Sequence, residues 1–98
     1  MRAVASVTLL AGCLDYAQGM AQVGELNCRR AESCGDLQAF GYGTVTACIE
    51  DAQGQPYDDQ DCPDFDAGQM RRCLAASRDA ADTPDCDATP DDACHVCG

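Results

Sequence analysis

The sequence predicts an all-α fold: a small disulfide-stapled helical domain with three to four short helices, irregular acidic loops and no sheet. The chain holds nine cysteines in 98 residues, a density typical of short exported disulfide scaffolds. Apolar residues recur at helical spacing in three stretches, and residues suited to helix termini flank them. No stretch of useful length shows the apolar–polar alternation of a strand.

The N-terminal stretch indicates export and lipid attachment. Arg2 precedes an apolar run over residues 3–10, which has the order of a signal peptide and is shorter than the roughly 20 residues that cross a bilayer. The tetrapeptide LAGC at 10–13 resembles the bacterial lipobox, in which the cysteine takes a diacylglycerol thioether, with fatty acyl chains such as palmitate. We therefore expect a lipoprotein signal peptide over 1–12 and lipidation at Cys13. The alternative is an ordinary signal peptide.

The expected location is the bacterial cell envelope. Leu14 follows the modified cysteine, and the absence of Asp at that position favours the outer membrane. The protein would face the periplasm or the cell surface, with the lipid anchor as its contact to the membrane. Removal of residues 1–12 takes the formal charge from −11 to −12, because Arg2 is lost. Such a charge repels nucleic acid, so we expect no nucleic-acid partner.

Residues 13–27 are interpreted as a lipidated N-terminus and tether, and residues 28–98 as the disulfide-rich helical domain. A flexible tether of this length would extend about 20 Å. Four apolar residues instead allow an amphipathic helix. They are Tyr16, Met20, Val23 and Leu26. Gly19 and Gly24 weaken the helical alternative, since glycine is a poor helix former.

The first two helices of the domain are predicted from their termini. One runs over about 20–34 and ends at Gly35, a natural residue just past a helix. The next begins after Thr44, which is suited to be its N-cap, and closes at Gly54. Its apolar spacing places Cys48 on the buried face. The loop between these helices, 35–43, is expected to fold its aromatic residues beneath it.

A third helix is predicted over about 67–79, after an acidic loop at 54–64. Asp66 is placed as its N-cap and Gln69 as the partner residue of a capping box, with Phe65 and Met70 as the hydrophobic staple. One face of the helix carries four residues. They are Met70, Cys73, Leu74 and Ser77. A short last helix is predicted to start at Pro90 and to carry Cys94.

Eight cysteines remain after Cys13, and we expect them to form four disulfides. They are Cys28, Cys34, Cys48, Cys62, Cys73, Cys86, Cys94 and Cys97. The 105 connectivities that eight cysteines allow stay open. Cys28 and Cys34 leave a helix on different faces and should reach different partners, whereas Cys48 and Cys73 should join helices. Few large apolar residues follow residue 28, so the core is thin and covalent staples should supply part of the stability.

Two clusters of residues offer metal binding as an alternative to these structural interpretations. Cys94, His95 and Cys97 are three residue types that bind zinc, within four positions, and they define the alternative of a metal-binding or thiol-redox protein. After export, oxidation competes with metal for the thiolates, so we expect neither metal nor cofactor. The acidic loop fails the EF-hand pattern, because Pro63 and Met70 occupy its fifth and twelfth positions.

The motif FDA at 65–67 opens a helix that carries Cys73, and ACI lies upstream at 47–49. With these motifs, residues 28–97 resemble the small cysteine-rich lipoproteins of high-GC delta-proteobacteria such as myxobacteria. The resemblance implies a fold and an envelope location but no activity. A single histidine and no phosphate-binding loop leave no catalytic constellation. We therefore expect a non-enzymatic structural or interaction module, with an envelope protein as its partner.

Overall fold

The computed structural model describes residues 14–83, 86–87 and 94–97, and this part of the chain is helical without strands. Helix α1 spans Tyr16–Ser33, α2 spans Val45–Gln53 and α3 spans Ala67–Asp82, with a 3-10 turn at Asp59–Asp61. Helix α1 packs against both of the other helices. The predicted fold class is confirmed. None of these helices combines the length and the apolar character needed to cross a membrane.

Helix α1 begins earlier than the sequence predicts. Asp15 is its N-cap, and the Asp15 carboxylate accepts a hydrogen bond from the backbone N–H of Gln18 at 2.7 Å. Val23 lies in the main core, and the other apolar residues of the expected tether pack against that core. Burial of this face outweighs the low helix propensity of two glycines. Residues from 14 onward therefore pack with the folded domain, and α1 runs across the expected boundary at residue 28.

Helix α1 ends in the predicted way at a glycine. Cys34 is the C-cap, and Gly35 follows with a φ of 72°, a left-handed conformation that glycine adopts without steric cost. The N–H of Gly35 donates to the carbonyl of Glu32 at 3.1 Å, and the N–H of Asp36 donates to Ala31 at 2.8 Å. This pair of bonds is the Schellman motif, which satisfies carbonyls at the helix end.

The N-caps of α2 and α3 are those that the sequence predicts. The Thr44 hydroxyl accepts from the N–H of Ala47 at 3.1 Å, and the Asp66 carboxylate accepts from the N–H of Gln69 at 3.0 Å. The reciprocal half of the capping box is not formed. Instead, the Asp66 N–H donates to the carbonyl of Val96 at 2.9 Å, so a tertiary contact replaces the local one. Helix α3 also ends three residues later than predicted.

The main core is small and lies between α1, α3 and the C-terminal segment. Its members are Val23, Cys62, Met70, Cys73, Leu74 and Val96. Only four of these six residues are large apolar side chains and the other two are cysteines, so the described core is as thin as the sequence predicts. Phe65 packs against the same cluster that contains Met70, in agreement with the predicted staple.

The loop before α2 does not fold Phe40 beneath it. Phe40 is 66% exposed, which corrects the prediction for this side chain. The loop instead closes on its own backbone, because the Phe40 N–H donates to Asp36 at 3.2 Å and the Tyr42 N–H donates to Leu37 at 3.0 Å. Gly41 turns the chain with a φ of 92°. The backbone groups are satisfied without burial of the ring.

The predicted last helix lies mostly outside the described residues. Residues 88–93, which include Pro90, are not described. Cys94 is described as part of the segment 94–97, which sits against the core. The structure describes two pieces of the C-terminal region, residues 86–87 and residues 94–97.

Candidate functional site

All eight cysteines from Cys28 onward are paired in four disulfides. The pairs are Cys28–Cys48, Cys34–Cys86, Cys62–Cys97 and Cys73–Cys94. Their Cα–Cα separations run from 4.6 to 5.8 Å, within the usual range for a bridge. The expected use of these cysteines as staples is confirmed, and the connectivity that the sequence leaves open is resolved.

The pairing agrees with most of the expectations from helix faces. Cys28 and Cys34 have different partners, and the bridge of Cys48 joins α1 to α2. The bridge of Cys73 joins α3 to Cys94 of the C-terminal segment 94–97. Periodicity identifies a buried cysteine, but it contains no information on which distant residue lies opposite.

The C-terminal CHVC sequence at 94–97 packs over the core and is fixed there. Val96 is 3% exposed and its carbonyl accepts the Asp66 N–H. Disulfides on either side tie the segment to α3 and to Cys62. The segment 94–97 therefore covers the N-terminal half of α3. Cysteine spacing alone, which is compatible with zinc or redox chemistry, did not indicate this role.

The candidate zinc ligands are not free to bind metal in this oxidised form. The sulfurs of Cys94 and Cys97 are each bonded to a cysteine elsewhere in the chain, and His95 is exposed. A zinc site needs thiolates, so reduction of two disulfides would have to precede it. Among the described residues, no group of three histidine, cysteine or acidic side chains is arranged to hold a metal ion.

The carboxylates near the acidic loop are used to cap helices. Asp58 accepts from the N–H of Gln60 at 2.9 Å at the start of the 3-10 turn. Asp59 accepts from the N–H of Ala17 at 3.2 Å, so it caps the first turn of α1 from a distance of 42 positions along the chain. These carboxylates satisfy backbone donors at positive helix ends. The sequence offers no local signal for the contact between Asp59 and Ala17.

A groove of about 650 Å³ lies between α1, α3 and the loop before α2. Its walls are mainly apolar and include two of the disulfides. Among the lining residues are Val23, Asn27, Ala31, Phe40, Tyr42 and Ser77. The Ser77 hydroxyl is buried without a hydrogen-bond partner in the described part of the protein. Sequence analysis missed this groove, because it depends on how the loop lies over the helices.

A tyrosine–aspartate pair fixes the rim of the groove. The Tyr42 hydroxyl donates to the Asp51 carboxylate at 2.5 Å and so ties the loop to α2. This hydrogen bond, followed by partial burial and by the negative charge of Asp51, raises the pKa of Tyr42 above its ordinary value of 10.0. The phenol therefore stays protonated over the neutral range, as a donor and not as a nucleophile.

The expected lipidation site, Cys13, lies outside the described residues, which begin at Leu14. Comparisons with family models, with curated proteins and with solved structures found no match to this chain.

Proposed function

We propose that the protein is a lipid-anchored cell-envelope protein whose disulfide-stapled domain acts as a structural or interaction module. The observation that carries this proposal is the cysteine pairing. Four disulfides use all eight cysteines from Cys28 onward. The one cysteine that the pairing leaves over is Cys13, the residue at which the LAGC tetrapeptide predicts a thioether to lipid.

The disulfides also support an exported location. Structural disulfides persist in oxidising compartments such as the periplasm and the cell surface. The bridge between Cys28 and Cys48 and the bridge between Cys73 and Cys94 lie largely in the interior, since three of their four cysteines are buried. A domain with so few large apolar side chains depends on such bridges. The apolar run after Arg2 would direct the chain to export, and the disulfides would form after export.

The use of the polar groups supports a binding or structural role and not catalysis. The carboxylates of Asp15, Asp58, Asp59 and Asp66 accept hydrogen bonds from backbone N–H groups at helix starts. The cysteines hold the fold together. A strongly acidic, rigid surface suits an envelope partner of opposite charge. In this proposal the protein faces the periplasm or the cell surface.

Substitution of the proposed lipidation site tests the anchor. The wild-type protein should appear in the membrane fraction, and Cys13→Ser should release it to the soluble fraction. Thr8→Ser is the matched control, since it alters the apolar run without touching the LAGC tetrapeptide, and it should stay in the membrane. Equal membrane retention of Cys13→Ser and wild type would overturn the anchor.

Intact mass of the non-reduced protein tests cleavage, lipidation and oxidation together. The expected mass is that of a chain that begins at Cys13 and carries a diacylglycerol. It lacks eight hydrogens because of the four disulfides. The alternative of a metal-binding or thiol-redox protein at Cys94, His95 and Cys97 predicts free thiols and bound zinc instead. Thiol counting on the native protein separates the two, because the proposed fold has no free thiol among its paired cysteines.

A further inference from the structure

We infer that the domain stands directly on the bilayer, with the N-terminal end of α1 and the neighbouring acidic turn against the lipid headgroups of a zwitterionic membrane. The contacting surface, named here the anchor end, comprises Leu14, Asp15, Tyr16, Tyr57 and the turn Asp59–Asp61. The inference rests on the proposed lipidation of Cys13. It adds which face of the domain meets the membrane and which headgroup chemistry that face accepts.

First, no flexible segment separates the proposed lipid anchor at Cys13 from the folded domain. The Asp15 carboxylate accepts from Gln18 at 2.7 Å, and the Asp15 carbonyl accepts from the N–H of Gly19 at 2.9 Å. Leu14 packs against the core. Since consecutive Cα atoms lie about 3.8 Å apart, a lipid on residue 13 is attached within about 4 Å of a packed residue. The flexible tether of about 20 Å is thereby excluded.

The second step is the rigid attachment of the acidic turn to the same end of α1. Asp59 accepts the hydrogen bond of the Ala17 N–H at 3.2 Å. The ring of Tyr16 meets the ring of Tyr57 edge-on, with 6.0 Å between centroids, and the ring of Phe65 at 6.4 Å. The turn and the first turn of α1 therefore face the anchor together and cannot separate without loss of these contacts.

The chemistry of the anchor end suits one kind of headgroup. Tyr16 and Tyr57 are partly exposed, and tyrosine rings are favoured at the membrane–water interface because one end is apolar and the other polar. Asp58, Asp59 and Asp61 are exposed beside them. Carboxylates held close to an anionic membrane surface are repelled by it. At 0.1 M salt this repulsion is largely screened beyond about 10 Å. A zwitterionic phosphatidylcholine surface carries no such penalty.

Hydrogen exchange on the full lipidated protein tests the orientation. In phosphatidylcholine vesicles, the amides of residues 57–61 should exchange about threefold more slowly than in detergent micelles. The loop at 36–42 should not change, because α1 has 18 residues and separates the two regions by about 27 Å. With phosphatidylglycerol vesicles at low salt, the added protection at 57–61 should fall, and salt should restore it.

A spacer variant separates the orientation from the anchor itself. Insertion of about ten Gly and Ser residues between Cys13 and Leu14 restores a flexible tether. This variant should remain bound to vesicles and lose the protection at 57–61. Vesicle binding of the wild type without protection at 57–61, or protection that the spacer leaves unchanged, overturns the orientation and leaves the anchor intact. A protein whose mass shows no lipid overturns the proposed function and the orientation together.

Discussion

The side chain of Met70 occupies the space that a β-carbon on Gly19 would need. A Cβ built on Gly19 would approach three atoms of the Met70 side chain to less than 3.0 Å, and Met70 is fully buried. Helices α1 and α3 can therefore approach closely at this point. In the same way, a Cβ built on Gly24 would lie 2.8 Å from the Cβ of Ala52 in α2. The two glycines that weakened the helix prediction are the contact points that place α1 between its neighbours.

Gly19→Ala should destabilise the domain by about 1–3 kcal/mol, the usual cost of overpacking a core. Alanine favours a helix by about 1 kcal/mol over glycine, but the new methyl group would force the fully buried Met70 side chain to shift. The measurement is chemical denaturation under non-reducing conditions. Gly43→Ala is the control, since nothing lies within 4 Å of a Cβ there. A rise in stability for Gly19→Ala would show that Met70 or the two helices can adjust without cost.

Local signals account for most of what the sequence predicted of the fold. Thr44, Asp66 and Gly35 satisfy helix ends through residues one to four positions away, so their types and spacing were sufficient. The start of α1 was missed for the opposite reason. Its stability comes from burial of Val23 against α3 and from the carboxylate of Asp59, and both are distant in sequence. Periodicity within residues 14–27 allowed a helix but could not show what would cover it.

Asp66→Ala should cost about 1 kcal/mol of stability, because the N–H of Gln69 loses its acceptor at the start of α3. Asp66→Asn should retain most of it, since asparagine caps a helix about as well as aspartate. Asp64→Ala is the matched control. Asp64 is an exposed aspartate of the same loop, and its loss should change the stability by no more than about 0.5 kcal/mol. Thermal melts of the oxidised proteins would distinguish the three.

The candidate site was less predictable than the fold. Sequence analysis selected Cys94, His95 and Cys97 for their spacing, but the spacing of cysteines does not report their partners. Both cysteines are bonded to residues that lie 21 and 35 positions away. The groove near Phe40 was missed because its walls come from three elements. Both failures have one physical cause, since contacts between distant residues depend on packing that one-dimensional patterns do not contain.

Tyr42 should titrate above pH 10, and Asp51→Ala should bring its pKa back towards the ordinary value. The hydrogen bond to Asp51 needs the protonated phenol, so its contribution to stability is present below pH 10.0 and is lost as the pH rises through the raised pKa. NMR of tyrosine labelled at Cζ reports the titration. Glu50→Ala, which removes a neighbouring exposed carboxylate, should leave the Tyr42 pKa nearly unchanged. An equal shift in both variants would point to general charge effects.

The Cys34–Cys86 and Cys62–Cys97 bridges should be reduced first, and Cys28–Cys48 should be among the last. Thiol exchange requires a thiolate to reach one sulfur of the bridge. Cys86 and Cys97 are exposed, whereas Cys28 and Cys48 are only 4% and 7% exposed. Limiting reductant followed by alkylation and peptide mass analysis gives the order. In denaturant the difference should disappear, because all bridges become accessible. Early labelling of Cys28 and Cys48 in the native protein would mean that α1 and α2 separate more readily than their packing implies.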